Sequence, residues 1–291
     1  MTIEPAPAKI NLALHVRRRR ADGYHDLETL FAFCADGDVV SVAPAERDGF
    51  TITGPFAADL SHPSRSPQAS GEGEWADNLV TRAAAAFRKT FAIAAPHAIT
   101  LDKRLPIASG IGGGSADAAA TLRALARLHG VDPRDPRLHA VAATLGADVP
   151  ACLGGRTTLG TGRGDVLAAL AGLGGTPVLL VNPRVGVSTG AVFAAWDGID
   201  RGGIDSGGGG DGALLERARA GRNDLEPAAR GLAPVIGDVR AVLDAAPGTL
   251  LSRMSGSGAT CFALFDGVAA RDAAAQTAAA RGWWTLATVL R

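Results

Sequence analysis

An α+β architecture in two lobes is what this sequence predicts, and three observations predict it. Stretches of strand-like alternation and stretches of helical spacing are interspersed without the regular βαβ rhythm of a parallel sheet. A length of 291 residues with 47% hydrophobic content supports two substantial cores, with the expected split near residue 155 into domains 1–155 and 156–291. A glycine cluster at 110–114 opens directly into an alanine-rich helical stretch.

The elements follow in order. Residues 8–16 alternate polar and apolar, as a half-buried strand does, and 17–23 read as a turn. Residues 27–33 and 38–43 read as strands joined by an Asp36-Gly37 hairpin turn, with a short strand at 50–53. The Ser, Pro and Gly of 61–74 suggest a surface loop. A helix is expected over 78–91, capped by Asp77 or Asn78, then a strand at 98–101. After the glycine cluster, Ser115 is an expected N-cap, Ala118, Leu122, Leu125 and Leu128 or His129 mark one buried helical face, and Gly130 ends the helix. Further helices are expected at 136–145, 188–196, 234–245 and 268–280, and strands at 178–182, 250–254, 260–265 and 284–290. Residues 200–212, dense in glycine, suggest a mobile loop.

Composition narrows the function. Lys plus Arg and Asp plus Glu number 29 each, so the formal charge is zero, which argues against a protein built to grip nucleic acid or an anionic membrane. The four arginines at 17–20 read as a solvated turn. Cys34, Cys152 and Cys261 have no metal-ligand spacing and suggest reduced thiols in a cytoplasmic protein. The N-terminus has no basic segment followed by an apolar one, so no signal peptide is expected, and no apolar run suggests a membrane span.

The strongest chemical signal is Leu105-Pro106-Ile107-Ala108-Ser109-Gly110-Ile111-Gly112-Gly113-Gly114-Ser115-Ala116. A backbone without side chains approaches a ligand closely, and a helix starting after it aims unpaired N–H groups and a positive dipole end at the same place. That combination holds phosphate. No Lys-Ser or Lys-Thr follows the glycines, and their spacing fails the dinucleotide fingerprint.

Residues 106–116 match P-x-x-x-G-[LI]-G-[GS]-[GS]-[SA]-[SA], and on this motif the chain resembles the GHMP small-molecule kinase superfamily. Within it the chain looks like one branch, through Ala8-Lys9-Ile10-Asn11-Leu12, Arg20-Ala21-Asp22-Gly23-Tyr24-His25, Gly146-Ala147-Asp148-Val149-Pro150, Met254-Ser255-Gly256-Ser257-Gly258 and Asn223-Asp224-Leu225-Glu226. The resemblance runs from about residue 6 to the last expected strand. Ala108-Ser109, Ala116 and the glycine run at 207–210 are departures outside the expected chemistry.

The resemblance implies a two-lobed GHMP kinase fold with mixed and antiparallel sheets and the active site between the lobes. It implies ATP on Pro106, Ile107, Ala108, Ser109, Gly110, Ile111, Gly112, Gly113, Gly114, Ser115 and Ala116, with Mg²⁺ on the phosphates and Ser115 either capping or touching an oxygen or the metal. It implies Asp148 as base and Lys9 as its cationic partner, where the residues alone allow a turn aspartate and a surface lysine. It implies Tyr24 and His25 on a cytidine base and Asn11 hydrogen-bonded to substrate, with the 2-hydroxyl of a cytidylated sugar alcohol as phosphoryl acceptor, on the non-mevalonate isoprenoid route. The 255–258 loop is expected to close over phosphates or substrate, and Asp117 to favour the helix dipole. The partner is a small molecule, neither nucleic acid nor membrane, for a monomer or homodimer.

Overall fold

The computed structural model describes residues 1–60, 78–204 and 213–291. The expected loop at 61–74, Asp77 as a cap and the glycine run at 207–210 lie outside the described residues. The chain forms two compact units that alternate along the sequence. The first comprises Met1–Ala8, Asp36–Ile107 and Gly112–Gly155; the second comprises Lys9–Ala35, Ala108–Ile111 and Arg156–Arg291. Residues 9–35 and 108–111 cluster with the second unit, so the two units are not consecutive stretches of chain.

Strands β1 (Thr2–Arg19) and β2 (His25–Pro44) contribute residues to both units. The first unit adds β3 (Gly49–Thr53), α1 (Ala57–Leu60), α2 (Leu79–Phe91), β4 (His97–Asp102), α3 (Gly113–Leu128), α4 (Pro136–Leu145) and α5 (Val149–Gly154). Val39–Pro44 of β2 pair antiparallel with β4, which pairs parallel with β3 on its other edge. Asn78 caps α2 by accepting from Val80 N at 2.9 Å, and Val80, Ala83 and Phe87 are its buried residues. Both α2 and α5 pack on α3. Alanine supplies little bulk, so neighbours come close around α3, and Ala116, Ala118, Ala119, Ala120, Leu122, Ala124 and Leu125 are all buried. The single expected face is therefore much wider.

The second unit adds β5 (Thr158–Thr161), β6 (Val166–Ala169), β7 (Pro177–Asn182), α6 (Thr189–Ala194), α7 (Ala213–Ala220), α8 (Glu226–Leu232), α9 (Val235–Ala245), β8 (Thr249–Met254), β9 (Cys261–Phe265), α10 (Val268–Ala279) and β10 (Trp284–Val289). Thr29–Phe31 of β2 pair with β5, and β5 pairs with β6, both antiparallel. A separate antiparallel sheet has the order β10-β7-β9-β8. One face of that sheet packs with α9 and α10 in a core that includes Val181, Ile236, Leu243, Met254, Phe265 and Ala278.

Several sequence expectations need correction. Asp36-Gly37 is no turn: β2 runs straight through it. Gly37 is required for close approach, because a Cβ there would lie 2.1 Å from Ala6 O on β1. Arg17 to Arg19 continue β1 and do not form a turn, held by Arg17 to Glu28 and by Arg18 Nε to Asp26 at 2.5 Å. Ser115 is not the N-cap, since α3 starts at Gly113 with Gly112 (φ 66°) at the cap. The helix begins on glycine because only a left-handed residue turns the loop into it there. Asp117 is consequently beyond the first turn. The sequence pattern does not predict the short α1, β5, β6, α5, α7 and α8.

Candidate active site

In the second unit Lys9 is 3% exposed. Its Nζ donates to Asn11 Oδ1 at 3.0 Å and lies 5.2 Å from the centre of the Phe31 ring. Alternation along β1 puts Lys9 and Asn11 on one face, which is why the pair meets. Asn11 Nδ2 donates to Thr29 Oγ1 at 2.8 Å. Asn11 thus commits its carbonyl to Lys9 and one amide hydrogen to Thr29, fixing the ammonium in place.

The glycine loop joins this network. Lys9 N donates to Ile111 O at 2.9 Å, and Ser255 Oγ donates to Gly110 O at 2.9 Å while accepting from Asn11 N at 3.2 Å. Thr260 N donates to Ser109 O at 3.1 Å. Residues 108–111 and 255–258 therefore lie backbone to backbone, and a Cβ on Gly110 (φ +76°) would sit 2.4 Å from Ser255 O. Asn223 holds the second loop through Nδ2 bonds to Met254 O and Gly256 O, both 2.8 Å. Asn223 and Ser255 are thus loop-building residues, a role that their sequence context does not reveal.

In the first unit, Gly112 brings no side-chain acceptor to the opening turn of α3, and Gly113, Gly114 and Ser115 are not buried. Uncapped N–H groups at an accessible helix start suit an anion. Below this turn a buried ion cluster ties loop to helix. Lys103 Nζ reaches Asp38 at 2.5 Å and Asp117 at 2.7 Å, and Asp38 also accepts from Arg104 N and Leu105 N at 2.5 and 2.8 Å. Burial pushes the Asp117 carboxyl up to about 8, against the pull of Lys103. Burial also opposes the Lys103 charge, but Asp117 and Asp38 outweigh it and raise its pKa. Asp117 is therefore a buried hydrogen-bond partner of Lys103 beyond the first helical turn, and the dipole role expected for it falls away. Asp148 stands at the N-cap position of α5, half-buried, and its side chain makes no capping hydrogen bond. Val149 N donates to Gly146 O at 3.2 Å, so Asp148 also lies in a tight turn that leads into the helix.

Tyr24 and His25 follow the turn between β1 and β2. Tyr24 is 54% exposed, and its N–H donates to Asp22 Oδ1 at 3.1 Å. Arg20 pairs with Asp22 at 3.1 Å and with Asp26 at 2.9 Å, bracing the turn. His25 is buried, its ring 4.8 Å from Phe193 and edge-on to Trp196 at 5.7 Å. Burial, then the Arg19 charge, lower its pKa, which keeps the imidazole neutral at pH 7. With Nε2 facing Arg19 Nε at 3.5 Å, that nitrogen is the acceptor and Nδ1 carries the hydrogen. Phe193 and Trp196 lie too far along the chain for sequence to associate them with this turn.

Residues 78–156 match the GHMP kinases N terminal domain and residues 207–281 the GHMP kinases C terminal family. The 4-diphosphocytidyl-2-C-methyl-D-erythritol kinase of Rhizorhabdus wittichii is 55% identical to this chain over 292 residues, covering 99% of the chain and 94% of that protein. This chain belongs to that kinase family. A second 4-diphosphocytidyl-2-C-methyl-D-erythritol kinase, from Sphingopyxis alaskensis, is 51% identical over 98% of the chain and 96% of its own length. A crystal structure of a 4-(cytidine 5'-diphospho)-2C-methyl-D-erythritol kinase matches with a TM-score of 0.79 at 34% identity, covering 99% of this chain and 98% of that one. Homoserine kinase from Cytophaga hutchinsonii shares the fold, with a TM-score of 0.67 at 19% identity over 100% of this chain and 94% of that one. The kinase thus has the GHMP fold, and members of this superfamily use ATP as phosphate donor. Among the described residues no helix is long and apolar enough to cross a membrane.

Proposed function

We propose that this kinase transfers the γ-phosphoryl group of ATP to the 2-hydroxyl of 4-diphosphocytidyl-2-C-methyl-D-erythritol, on the non-mevalonate route to isoprenoid precursors. The observation that carries the substrate assignment is the Tyr24–His25 pair. A half-exposed aromatic face offers stacking to a pyrimidine, and the adjacent neutral imidazole offers an Nδ1–H donor to its edge. Residues 106–116, with the uncapped start of α3, hold the triphosphate through backbone N–H groups.

Asp148 accepts the proton of the attacking hydroxyl as the new O–P bond forms and the bond from the γ-phosphorus to the ADP oxygen breaks. Lys9, held by Asn11 and Phe31, offsets the negative charge of the transferring group without having to reorganise. Asn11 acts here by orienting Lys9. Mg²⁺ would be held mostly by the substrate phosphates. When bound, Mg²⁺ neutralises phosphate charge. The three cysteines are buried thiols, in keeping with a cytoplasmic protein acting on small molecules, as a monomer or homodimer.

The test is ADP release by the purified chain with Mg·ATP, comparing 4-diphosphocytidyl-2-C-methyl-D-erythritol, homoserine and mevalonate. Turnover on the cytidylated alcohol alone supports the reading. Turnover confined to either other alcohol removes the substrate and the roles of Tyr24 and His25.

A further inference from the structure

We infer that Arg163, in the tight turn joining β5 to β6, is a positioning residue for nucleobase recognition. It clamps one face of the Tyr24 ring, so that the base stacks on the other. This rests on the reading that Tyr24 takes the base.

The Arg163 guanidinium carbon lies 5.0 Å from the centre of the Tyr24 ring. That is within the range over which a cation is drawn to an aromatic face. The arginine is fixed before it meets the ring. Its Nε and Nη2 donate to Asp165 Oδ2 at 3.1 and 2.9 Å, and its own N–H donates to Asp165 Oδ1 at 3.1 Å. Burial pushes the Asp165 carboxyl up, but the hydrogen bonds from Arg163 prevail and lower its pKa, so the carboxylate stays ionised at neutral pH. The turn itself is tied to the recognition segment, because Leu27 N, two residues after His25, donates to Gly162 O at 2.6 Å. The side chain, the carboxylate that aims it and the strand that carries His25 thus form one connected unit.

Two consequences follow for binding. An exposed tyrosine samples several rotamers, and stacking a base on it requires freezing one of them. The guanidinium selects a rotamer in advance, so less ordering remains for the substrate to impose. A ring also has only two faces. With one occupied by Arg163, the base has a single face and a single sense of approach, which sets its register relative to the His25 donor. Arginine serves this role better than lysine, since its planar group stacks on a ring while its fork engages a carboxylate.

The experiment compares steady-state kinetics of Arg163→Met, Arg163→Lys, Asp165→Asn and Tyr24→Ala with wild type, using Mg·ATP and 4-diphosphocytidyl-2-C-methyl-D-erythritol. Arg163→Met is expected to raise KM for the cytidylated alcohol about three- to fivefold, with kcat and KM for ATP unchanged. Arg163→Lys and Asp165→Asn are expected to fall between Arg163→Met and wild type. Tyr24→Ala is expected to exceed them all. An unchanged KM in Arg163→Met alongside a raised KM in Tyr24→Ala overturns the role of Arg163 and leaves that of Tyr24 standing. An unchanged KM in Tyr24→Ala overturns both. A fall in kcat and a rise in KM for ATP in Arg163→Met, in parallel with the substrate effect, marks a general structural defect and also overturns the inference.

Discussion

The Lys9 network and the Tyr24 turn lie on the same hairpin-forming pair of strands, β1 and β2, yet are built in opposite ways. Lys9, Asn11, Thr29 and Ser255 are all buried, and their side chains bond one another or the glycine loop. Tyr24 is exposed, and its turn is braced by surface ion pairs such as Arg20–Asp22 and Arg18–Asp26. Buried polar networks are costly to break, because each lost partner leaves a desolvated group behind. Exposed ion pairs contribute little each and yield readily. Burial is thus deepest where the proposed chemistry needs a fixed charge. The reaction end must hold a charge in one place, whereas the recognition end must admit and release a large substrate.

Substitutions separate the two regions. The largest effect is expected for Asp148→Asn, which should lower kcat by several orders of magnitude while ATP affinity, read by isothermal titration, stays near wild type. Next comes Asn11→Ala, which removes the acceptor for Lys9 and the donor to Thr29. It should cost about 2–4 kcal/mol of stability in a denaturant melt and reduce kcat together with it. Tyr24→Ala should raise KM for the cytidylated alcohol about tenfold, from a stacking contribution of roughly 1–3 kcal/mol, with almost no change in unfolding midpoint. A loss of stability in Tyr24→Ala comparable to that in Asn11→Ala contradicts the contrast drawn between the two regions.

The smallest effect concerns pH. His15, His25 and His97 all have pKa values lowered from 6.5, with burial the first cause in each. For His97 the nearby His129, whose Nε2 lies 2.8 Å from its own, adds to the effect. Below pH 6.5 the unfolded chain therefore binds protons that these folded-state histidines refuse. Stability should fall as pH drops through that window and level off above it. A thermal melt series checks the sign. KM for the cytidylated alcohol should likewise stay flat from about pH 8 down to about 6.5 and rise only as His25 begins to protonate.

Much of the candidate site was legible in the sequence because it is local. The 106–116 loop, its passage into α3 and the Asp-Gly-Tyr-His turn are each short runs whose residue types state their geometry. Sequence reasoning failed where geometry is set across the chain. Asn11 and Ser255 meet across 244 positions, and Lys103 meets Asp38 across 65. Neither pairing leaves a periodic trace. Asp36-Gly37 misled because the same dipeptide serves a hairpin turn or, as here, a strand that another strand crosses closely. Ser115 misled because a serine at a glycine-to-alanine boundary has the chemistry of a cap, while Gly112, in the left-handed region, starts the helix earlier.

The most direct test is one steady-state comparison, ADP release against the concentration of 4-diphosphocytidyl-2-C-methyl-D-erythritol at saturating Mg·ATP, for wild type, Asp148→Asn and Tyr24→Ala. The expected result is turnover by wild type, a collapse of kcat in Asp148→Asn and a raised KM with near-normal kcat in Tyr24→Ala. Near-normal kcat in Asp148→Asn, or an unchanged KM in Tyr24→Ala, contradicts the division into a reaction end and a recognition end.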